Sequence, residues 1–166
     1  AEEFRSSMED LHVKALVTLL GSDHPSCKAA ASLGIPLISL EPDAHMAGIF
    51  SLTSDLPLEN NISVPILAQV DDVALILQTS GTTSRPKIVP LTHRNIFHSV
   101  HSIAETYALS PTDRCLNMMP LFHIHGLIAA LGASLASGGS VLCAPGFFSD
   151  QVLVWLTELE PTWYTA

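Results

Sequence analysis

The sequence predicts a layered α/β fold in which a mostly parallel sheet is flanked by helices. Short apolar runs with the look of strands alternate along the chain with helix-like segments, which is the pattern of βαβ units. The composition agrees, because 48% of the 166 residues are hydrophobic and only 14% are charged. A sheet that is buried on both faces requires such an apolar composition.

The first part of the chain contains a predicted βαβ unit. The start is helix-like, and residues 13–20 (VKALVTLL) and 35–40 (IPLISL) are apolar and strand-like. Between them, PSCKAAASLG places Pro25 in a first helical turn and Gly34 at a helix C-terminus. The two strands should therefore be parallel. Residues 41–65 are polar and loop-rich, and we expect the only internal boundary of the chain there.

The second part of the chain continues the alternation of strands and helices. Strands are predicted at 73–78, 88–91, 114–119, 140–144 and from 162 onwards. Thr92 is a predicted cap of a helix with one apolar face, made of Ile96, Val100, Ile103 and Tyr107. Further helices are predicted at 126–136 and after a cap at Ser149.

A polar loop, TSGTTSRPK at residues 79–87, interrupts two apolar runs. Phosphate cradles are built from backbone N–H groups freed by glycine, from hydroxyl donors and from one long cation. The loop has a glycine, five hydroxyl side chains and a lysine, namely Gly81, Thr79, Ser80, Thr82, Thr83, Ser84 and Lys87. A solvated turn is the alternative for such a composition.

The loop is not a Walker loop, although Gly81 and Lys87 have the spacing of one. Pro86 occupies the place of the second glycine and has no N–H to donate. Ile88 stands where the metal-binding hydroxyl would be, and the lysine is followed by a strand-like segment instead of a helix.

The order of residues in TSGTTSRPK strongly resembles the phosphate-binding signature of the adenylate-forming superfamily, whose usual form is close to TSGTTGxPKGV. A second segment, MPLFHIHGL at 119–127, resembles that superfamily's P-x-F-H-x-x-G motif. Ser84 and Ile88 depart from the pattern, because glycines are common at both places. The variant is similar to the branch that contains oxalate–CoA ligases, which shifts the expected substrate toward short carboxylates.

The resemblance implies an acid–thiol ligase that uses ATP, Mg²⁺ and coenzyme A to activate a small carboxylic acid. It implies that ATP is bound by Thr79, Ser80, Gly81, Thr82, Thr83, Ser84, Arg85, Pro86 and Lys87. It also implies that His123 lies near the adenylate, that His125 lines the acyl pocket, and that Gly126 belongs to the same substrate site. No catalytic side chain is expected within these residues.

The resemblance further implies that residues 1–166 are a single, partial N-terminal AMP-binding domain, with 1–65 as its first βαβ part and loop and 66–166 as its phosphate-loop part. The later motifs of the superfamily and its C-terminal domain have no counterpart in the sequence. We therefore expect the C-terminal domain to be a partner of this chain, and the 166 residues alone to form no acyl adenylate at an enzymatic rate.

Several classes of partner and site are disfavoured by the sequence. The net charge of −9 argues against nucleic acid. Residues 116–149 lack Asp, Glu, Lys and Arg, but polar and helix-breaking residues interrupt them, so we predict no membrane span. The H-x-H pair offers too few ligands for a metal.

The three cysteines favour a reducing, cytoplasmic location, although a peroxisomal one stays open. Cys115 and Cys143 lie in apolar runs and are predicted to be buried.

Three other functions compete with the ligase. A P-loop phosphotransferase is disfavoured by Pro86 and Ile88. A non-catalytic ATP-binding or interaction module, and an adenylation domain that loads a carrier protein, remain as alternatives.

Overall fold

The computed structural model describes residues 2–54, 67–79 and 87–165. The chain divides into two compact units, Ala1–Pro65 and Ile66–Ala166. None of the helices described in either unit is long and apolar enough to cross a membrane.

The first unit contains two helices and a three-stranded sheet: α1 (Glu2–Asp10), β1 (Leu16–Leu19), α2 (Pro25–Ser32), β2 (Leu37–Pro42) and β3 (Phe50–Ser54). β1 and β2 are parallel, as predicted. Pro25 occupies the first turn of α2, and Gly34 follows the helix with a φ of +67°, a conformation that glycine adopts at no steric cost. Met8 of α1 and Ala29 and Ala30 of α2 form the buried core.

β3 was not predicted; it lies within residues 41–65, which were expected to be loop-rich, and it pairs antiparallel with β2. Its first four residues are exposed. Its sequence, FSLTS, does alternate apolar and polar residues, but the run is short and lies in a polar, loop-rich stretch, so it was not predicted as a strand.

The second unit contains the remaining elements: β4 (Val73–Thr79), β5 (Lys87–Thr92), α3 (His93–Thr106), β6 (Arg114–Asn117), a π-helix (His125–Gly132), α4 (Ala133–Ala136), β7 (Ser140–Cys143), α5 (Ser149–Glu158) and β8 (Trp163–Thr165). They form a two-stranded sheet, β4–β5, and a three-stranded sheet of order β7–β6–β8. Helix α3 packs against both the β4–β5 pair and the π-helix.

The parallel sheet of this unit places β6 at its centre. Asn117, the last residue of β6, lies beside Cys143 of β7 and Thr165 of β8, so the three strands end together at one edge. Cys115, Leu116 and Asn117 are buried. This is the edge of a parallel sheet at which ligands gather.

The β4–β5 pair is an exception to the mostly parallel pairing that the sequence predicts. The two strands are antiparallel neighbours of one another. Only residues 80–86 separate them, whereas two parallel neighbours need a crossover of a dozen or more residues. The length of the loop therefore dictates a hairpin.

The segment predicted as a helix at 126–136 is helical but mixed. Residues His125–Gly132 form a π-helix and only Ala133–Ala136 are α-helical. The segment packs closely at both ends of its π part. A Cβ atom at Gly126 would lie 2.5 Å from the carbonyl oxygen of Pro120, and one at Gly132 would lie 2.8 Å from Cγ1 of Val100.

Two predicted helix caps have different outcomes. Thr92 caps α3 as expected, in a capping box with Asn95. Ser149 was predicted as a cap and is instead the first residue of α5. Phe148 stands at the cap position and offers no side-chain hydrogen bond.

Of the two cysteines that were expected to be buried, one is buried and the other is exposed. Cys115 is buried in the central strand, and this burial raises the pKa of its thiol, against a smaller opposing effect of a hydrogen bond with Ser134. The prediction for Cys143 is wrong, because it is exposed. Cys143 ends an outer strand of the sheet, where fewer neighbours cover a side chain.

A polar network fixes the beginning of β8 against β6. The carboxylate of Asp113 accepts hydrogen bonds from the hydroxyl of Thr162 (2.8 Å) and from the hydroxyl and backbone N–H of Ser110 (2.8 and 2.7 Å). The Thr162 hydroxyl also accepts from the backbone N–H of Arg114 at 2.9 Å. The hydrogen bonds to the Asp113 carboxylate hold its pKa below the ordinary value of 3.8, and the hydrogen bond from Thr162 has the largest effect.

We expect Asp113→Asn to lower the melting temperature near neutral pH and to leave little difference from the parent in acid. A lowered pKa means that the folded protein binds the proton less readily than the unfolded chain. The stability contributed by the carboxylate is therefore present above its ordinary pKa of 3.8 and is lost as pH falls through the folded-state value. Melting curves over a pH series measure this. Asp23→Asn, at an exposed position, is the control, and a parent–variant difference that is independent of pH would contradict the prediction.

Candidate functional site

The two ends of the polar loop are brought together by the β4–β5 hairpin. Thr79, the last residue of β4, is paired with Lys87, the first residue of β5. The seven predicted ATP-binding residues between them, Ser80, Gly81, Thr82, Thr83, Ser84, Arg85 and Pro86, lie outside the described residues. The structure thus shows how the loop is closed at its base.

The side chains of Thr79 and Lys87 share one face of the hairpin, because directly opposed residues of an antiparallel pair point the same way. Farther from the loop, the same face carries half-buried apolar side chains, those of Leu75, Leu77, Val89 and Leu91. Thr79 and Lys87 are exposed. No ion pair joins the Lys87 ammonium to any of the described residues.

The other end of the hairpin is anchored to α3. Arg94 donates two hydrogen bonds to the carboxylate of Asp71, at 2.8 and 3.0 Å. These hydrogen bonds lower the pKa of Asp71. Asp72 accepts from the backbone N–H of Gln69 at 2.8 Å, so both carboxylates hold the turn before β4. Both carboxylates therefore have structural partners.

The second sequence motif forms the turn that follows the central strand β6. The buried side chain of Asn117 accepts a hydrogen bond from the backbone N–H of Met119 at 3.0 Å, which holds the first residues of the turn. Gly126 is buried where the π-helix begins. Its closeness to the carbonyl oxygens of Met119 and Pro120, at 2.7 and 2.5 Å from a Cβ, leaves no room for a side chain.

The two histidines of this motif are in direct contact. The backbone N–H of His125 donates to Nδ1 of His123 at 3.2 Å. The Nε2 atom of His125 is hydrogen-bonded to the hydroxyl of Thr165, at the end of β8. His123 is exposed, whereas His125 is half-buried. Nowhere in the described residues do three His, Cys, Asp or Glu side chains gather in a way that could hold a metal ion.

Two cavities lie at this edge of the parallel sheet. One of about 450 Å³ is bounded by the last residues of β6 and β7 and the residues that follow them, including Asn117, Met119 and Cys143. The other, of about 410 Å³, lies between β8 and the helices, and is lined by His125, Thr165, Ile103, Tyr107, Ala129, Trp163 and Tyr164. The site thus has an apolar and aromatic wall with a few convergent polar groups, as small-molecule sites do.

Comparison with known proteins assigns the chain to a family. Residues 1–166 match the AMP-binding enzyme family. The chain belongs to the AMP-binding enzymes. The adenylate-forming resemblance carried by residues 79–87 and 119–127 is thereby confirmed.

Two curated relatives of this AMP-binding enzyme are similar in sequence. It is 39% identical over 171 residues to an oxalate–CoA ligase of Arabidopsis thaliana, a match that covers all of the chain and 33% of the relative. It is 53% identical over 106 residues to an oxalate–CoA ligase of Saccharomyces cerevisiae, covering 64% of the chain and 20% of the relative. The chain therefore spans about a third or less of the length of these relatives.

Among solved structures, the AMP-binding enzyme is similar to O-succinylbenzoate coenzyme A synthetase (MenE) of Bacillus subtilis in complex with ATP and magnesium ion. The TM-score is 0.73 at 26% identity, and the match covers 99% of this chain and 31% of the other. The predicted fold class is confirmed: three of the five strand pairings among the described residues are parallel, and the whole corresponds to part of an adenylate-forming enzyme.

The structure groups the predicted site residues of the AMP-binding enzyme into two sets. Thr79 and Lys87 meet at the base of the hairpin, and His123, His125 and Gly126 meet at the end of the parallel sheet. Sequence reasoning missed Asn117 and Thr165. Each of these two residues is the last residue of a strand in the parallel sheet. Ligands gather at the carboxyl ends of such strands, and this rule could have indicated both residues.

Proposed function

We propose that this chain supplies the phosphate-binding and acyl-binding parts of an ATP-dependent acid–thiol ligase that acts on a short carboxylic acid, with oxalate as the first candidate. The observation that carries the proposal is the closed hairpin, which brings Thr79 opposite Lys87 and leaves the lysine charge unpaired among the described residues. The sequence of residues 79–87 resembles the family's phosphate-binding signature, and two relatives are oxalate–CoA ligases.

The proposed reaction has two steps. A carboxylate oxygen of the acid attacks the α-phosphorus of ATP, the bond between that phosphorus and the bridging oxygen to the β-phosphate breaks, and pyrophosphate leaves. The thiol of coenzyme A then attacks the acyl carbon and loses its proton, and AMP leaves with the electron pair of the broken carbon–oxygen bond. Neither step needs a nucleophilic side chain of the protein.

The loop of residues 79–87 has the chemistry that the first step requires. Negative charge develops on the pyrophosphate as it departs, and fixed hydroxyl and N–H donors with one cation stabilise such charge without reorganising. Lys87 supplies the cation, held at the loop's base by strand pairing. Mg²⁺ enters the proposal with ATP, as a counter-charge of the phosphates.

The histidine end of the site is proposed to receive the acid. The cavity of about 410 Å³ beside His125 is lined mainly by apolar and aromatic side chains, with the imidazole and the Thr165 hydroxyl as its polar groups. A short acid with a second polar group needs such a donor on an otherwise apolar wall.

The thiol acceptor is proposed to be coenzyme A. The proposed location is a reducing cytoplasm, which the free cysteines support.

The protein that contains this chain is expected to exchange labelled pyrophosphate into ATP only when a suitable acid is present. A panel of oxalate, malonate, acetate and a long-chain fatty acid measures the acid dependence, and oxalate should give the fastest exchange. Coenzyme A and a phosphopantetheinylated carrier protein, supplied in parallel, identify the thiol acceptor. Release of phosphate from ATP without any acid would contradict the ligase and support a phosphotransferase, and ATP binding without exchange with any acid would support a binding module.

A further inference from the structure

The side chain of His125 is hydrogen-bonded to a residue of a strand and not to its own helix. Its Nε2 atom is hydrogen-bonded to the hydroxyl of Thr165, forty residues away in sequence. His125 begins the π-helix and Thr165 ends β8, and both side chains are half-buried. The rotation of the imidazole ring is therefore set by where β8 places the hydroxyl.

The position of the Thr165 hydroxyl is itself well determined. Thr165 is paired with Asn117 at the end of the buried central strand β6. At the other end of β8, Thr162 bonds to Asp113 and to the backbone of Arg114. With both ends of this short strand held against β6, the hydroxyl has little freedom to follow a moving ring.

The hydrogen bond leaves one polar atom of the ring for other partners. A neutral imidazole has one N–H and one acceptor nitrogen, and the partner of one nitrogen decides the role of the other. Because Nε2 is engaged by Thr165, Nδ1 is the atom that remains, and His125 lines the cavity of about 410 Å³ together with Thr165. If the hydroxyl donates to Nε2, the proton of the ring must lie on Nδ1.

We propose that Thr165 is a positioning residue that holds His125 as its Nδ1–H tautomer, with this N–H available to donate to the bound acid. The tautomer and the role in substrate binding both rest on the proposed function, whereas the hydrogen bond between Nε2 and the Thr165 hydroxyl does not. The chemistry fits an anionic ligand, because an acceptor nitrogen at the same place would repel a carboxylate and a donor attracts it. Thr165 thereby sets a preference for acids that carry an acceptor oxygen near the ring.

The test compares Thr165→Val, which keeps the shape and removes the hydroxyl, with Thr165→Ser, which keeps the hydroxyl. Thr157→Val is the matched control, because it removes an exposed hydroxyl whose hydrogen bond, among the residues that the structure describes, is to Leu153 of its own helix. The protein that contains this chain is labelled with ¹⁵N on its histidine rings, and the His125 signals are assigned by their loss in His125→Gln. Ring ¹⁵N shifts then report the tautomer directly.

We expect the Nδ1–H tautomer in the parent, in Thr165→Ser and in Thr157→Val, and a loss of that preference in Thr165→Val. In ATP–pyrophosphate exchange, Thr165→Val should raise KM for oxalate about tenfold with a smaller change in kcat, as the loss of one hydrogen bond to a charged group does. An unchanged tautomer in Thr165→Val would overturn the proposal, as would an Nε2–H tautomer in the parent. A changed tautomer in a protein that exchanges no pyrophosphate with any acid would support the positioning role and contradict the proposed function.

Discussion

Replacing Lys87 with alanine is expected to slow formation of the acyl adenylate about 10- to 150-fold, because one charge-assisted contact to phosphate contributes roughly 1.5–3 kcal/mol. Lys87 is the first residue of β5, and its exposed side chain shares a face of the hairpin with Thr79 at the base of the loop. Since the charge acts on a pyrophosphate that becomes more negative as it leaves, the loss should appear in kcat more than in KM for ATP.

The measurement is acid-dependent pyrophosphate exchange with purified parent and variant. Lys14→Ala is the matched control, because Lys14 is exposed, lies before β1 in the sequence and is not part of the phosphate-binding signature. Lys87→Arg keeps the charge but changes its shape, and we expect an intermediate rate. Exchange by Lys87→Ala at the parent's rate would remove Lys87 from the site.

Gly126→Ala is expected to destabilise the protein by about 1–3 kcal/mol, the cost of forcing atoms into a well-packed site. In an ordinary helix the same change stabilises by about 1 kcal/mol, so the prediction is a reversal of sign. The reason is the 2.5 and 2.7 Å approach of a Cβ to the carbonyl oxygens of Pro120 and Met119. Relief requires the turn after β6 to move, and that turn carries His123, so adenylation should fall as well.

Gly132→Ala provides a matched comparison in the same helix. There a Cβ would meet a side-chain atom, Cγ1 of Val100, at 2.8 Å. Adding Val100→Ala should therefore recover part of the stability lost in Gly132→Ala, with a coupling of about 0.5–3 kcal/mol, and should recover none of that lost in Gly126→Ala. Denaturant midpoints of the single and double variants measure this. A Gly126→Ala protein as stable as the parent would show that the turn yields easily.

Strong local patterns predicted most elements of the fold. Pro25 and Gly34 bounded α2, and Thr92 capped α3, because helix ends need specific backbone and side-chain groups that few residues supply. The strand β3 was not predicted, and β4 and β5 were predicted as strands without their antiparallel pairing. Their pairing depends on loop length and on contacts with other strands, and neither leaves a periodic signal in the strand's own sequence.

The sequence indicated the residue types of the candidate site but not the hydrogen bonds between them. Lys87 and His125 were indicated by motif, since phosphate and acid binding require particular residue types. The hydrogen bond between His125 and Thr165 was not foreseen, because it joins residues that become neighbours only when β8 pairs with β6. The exposure of Cys143 has a similar origin, because an apolar run does not tell which strand of a sheet will be outermost.

The π-helix at His125–Gly132 allows this part of the chain to contain one residue more than an α-helix of the same length would hold. A π-helix holds more residues in each turn than an α-helix, so it behaves as an α-helix that has absorbed an extra residue. The surplus is taken up within the π-helix, while Ala133–Ala136 continues as an ordinary α-helix. A homologue one residue shorter between the histidine and this α-helix would therefore span the same gap with tighter winding and leave the strands on either side where they are.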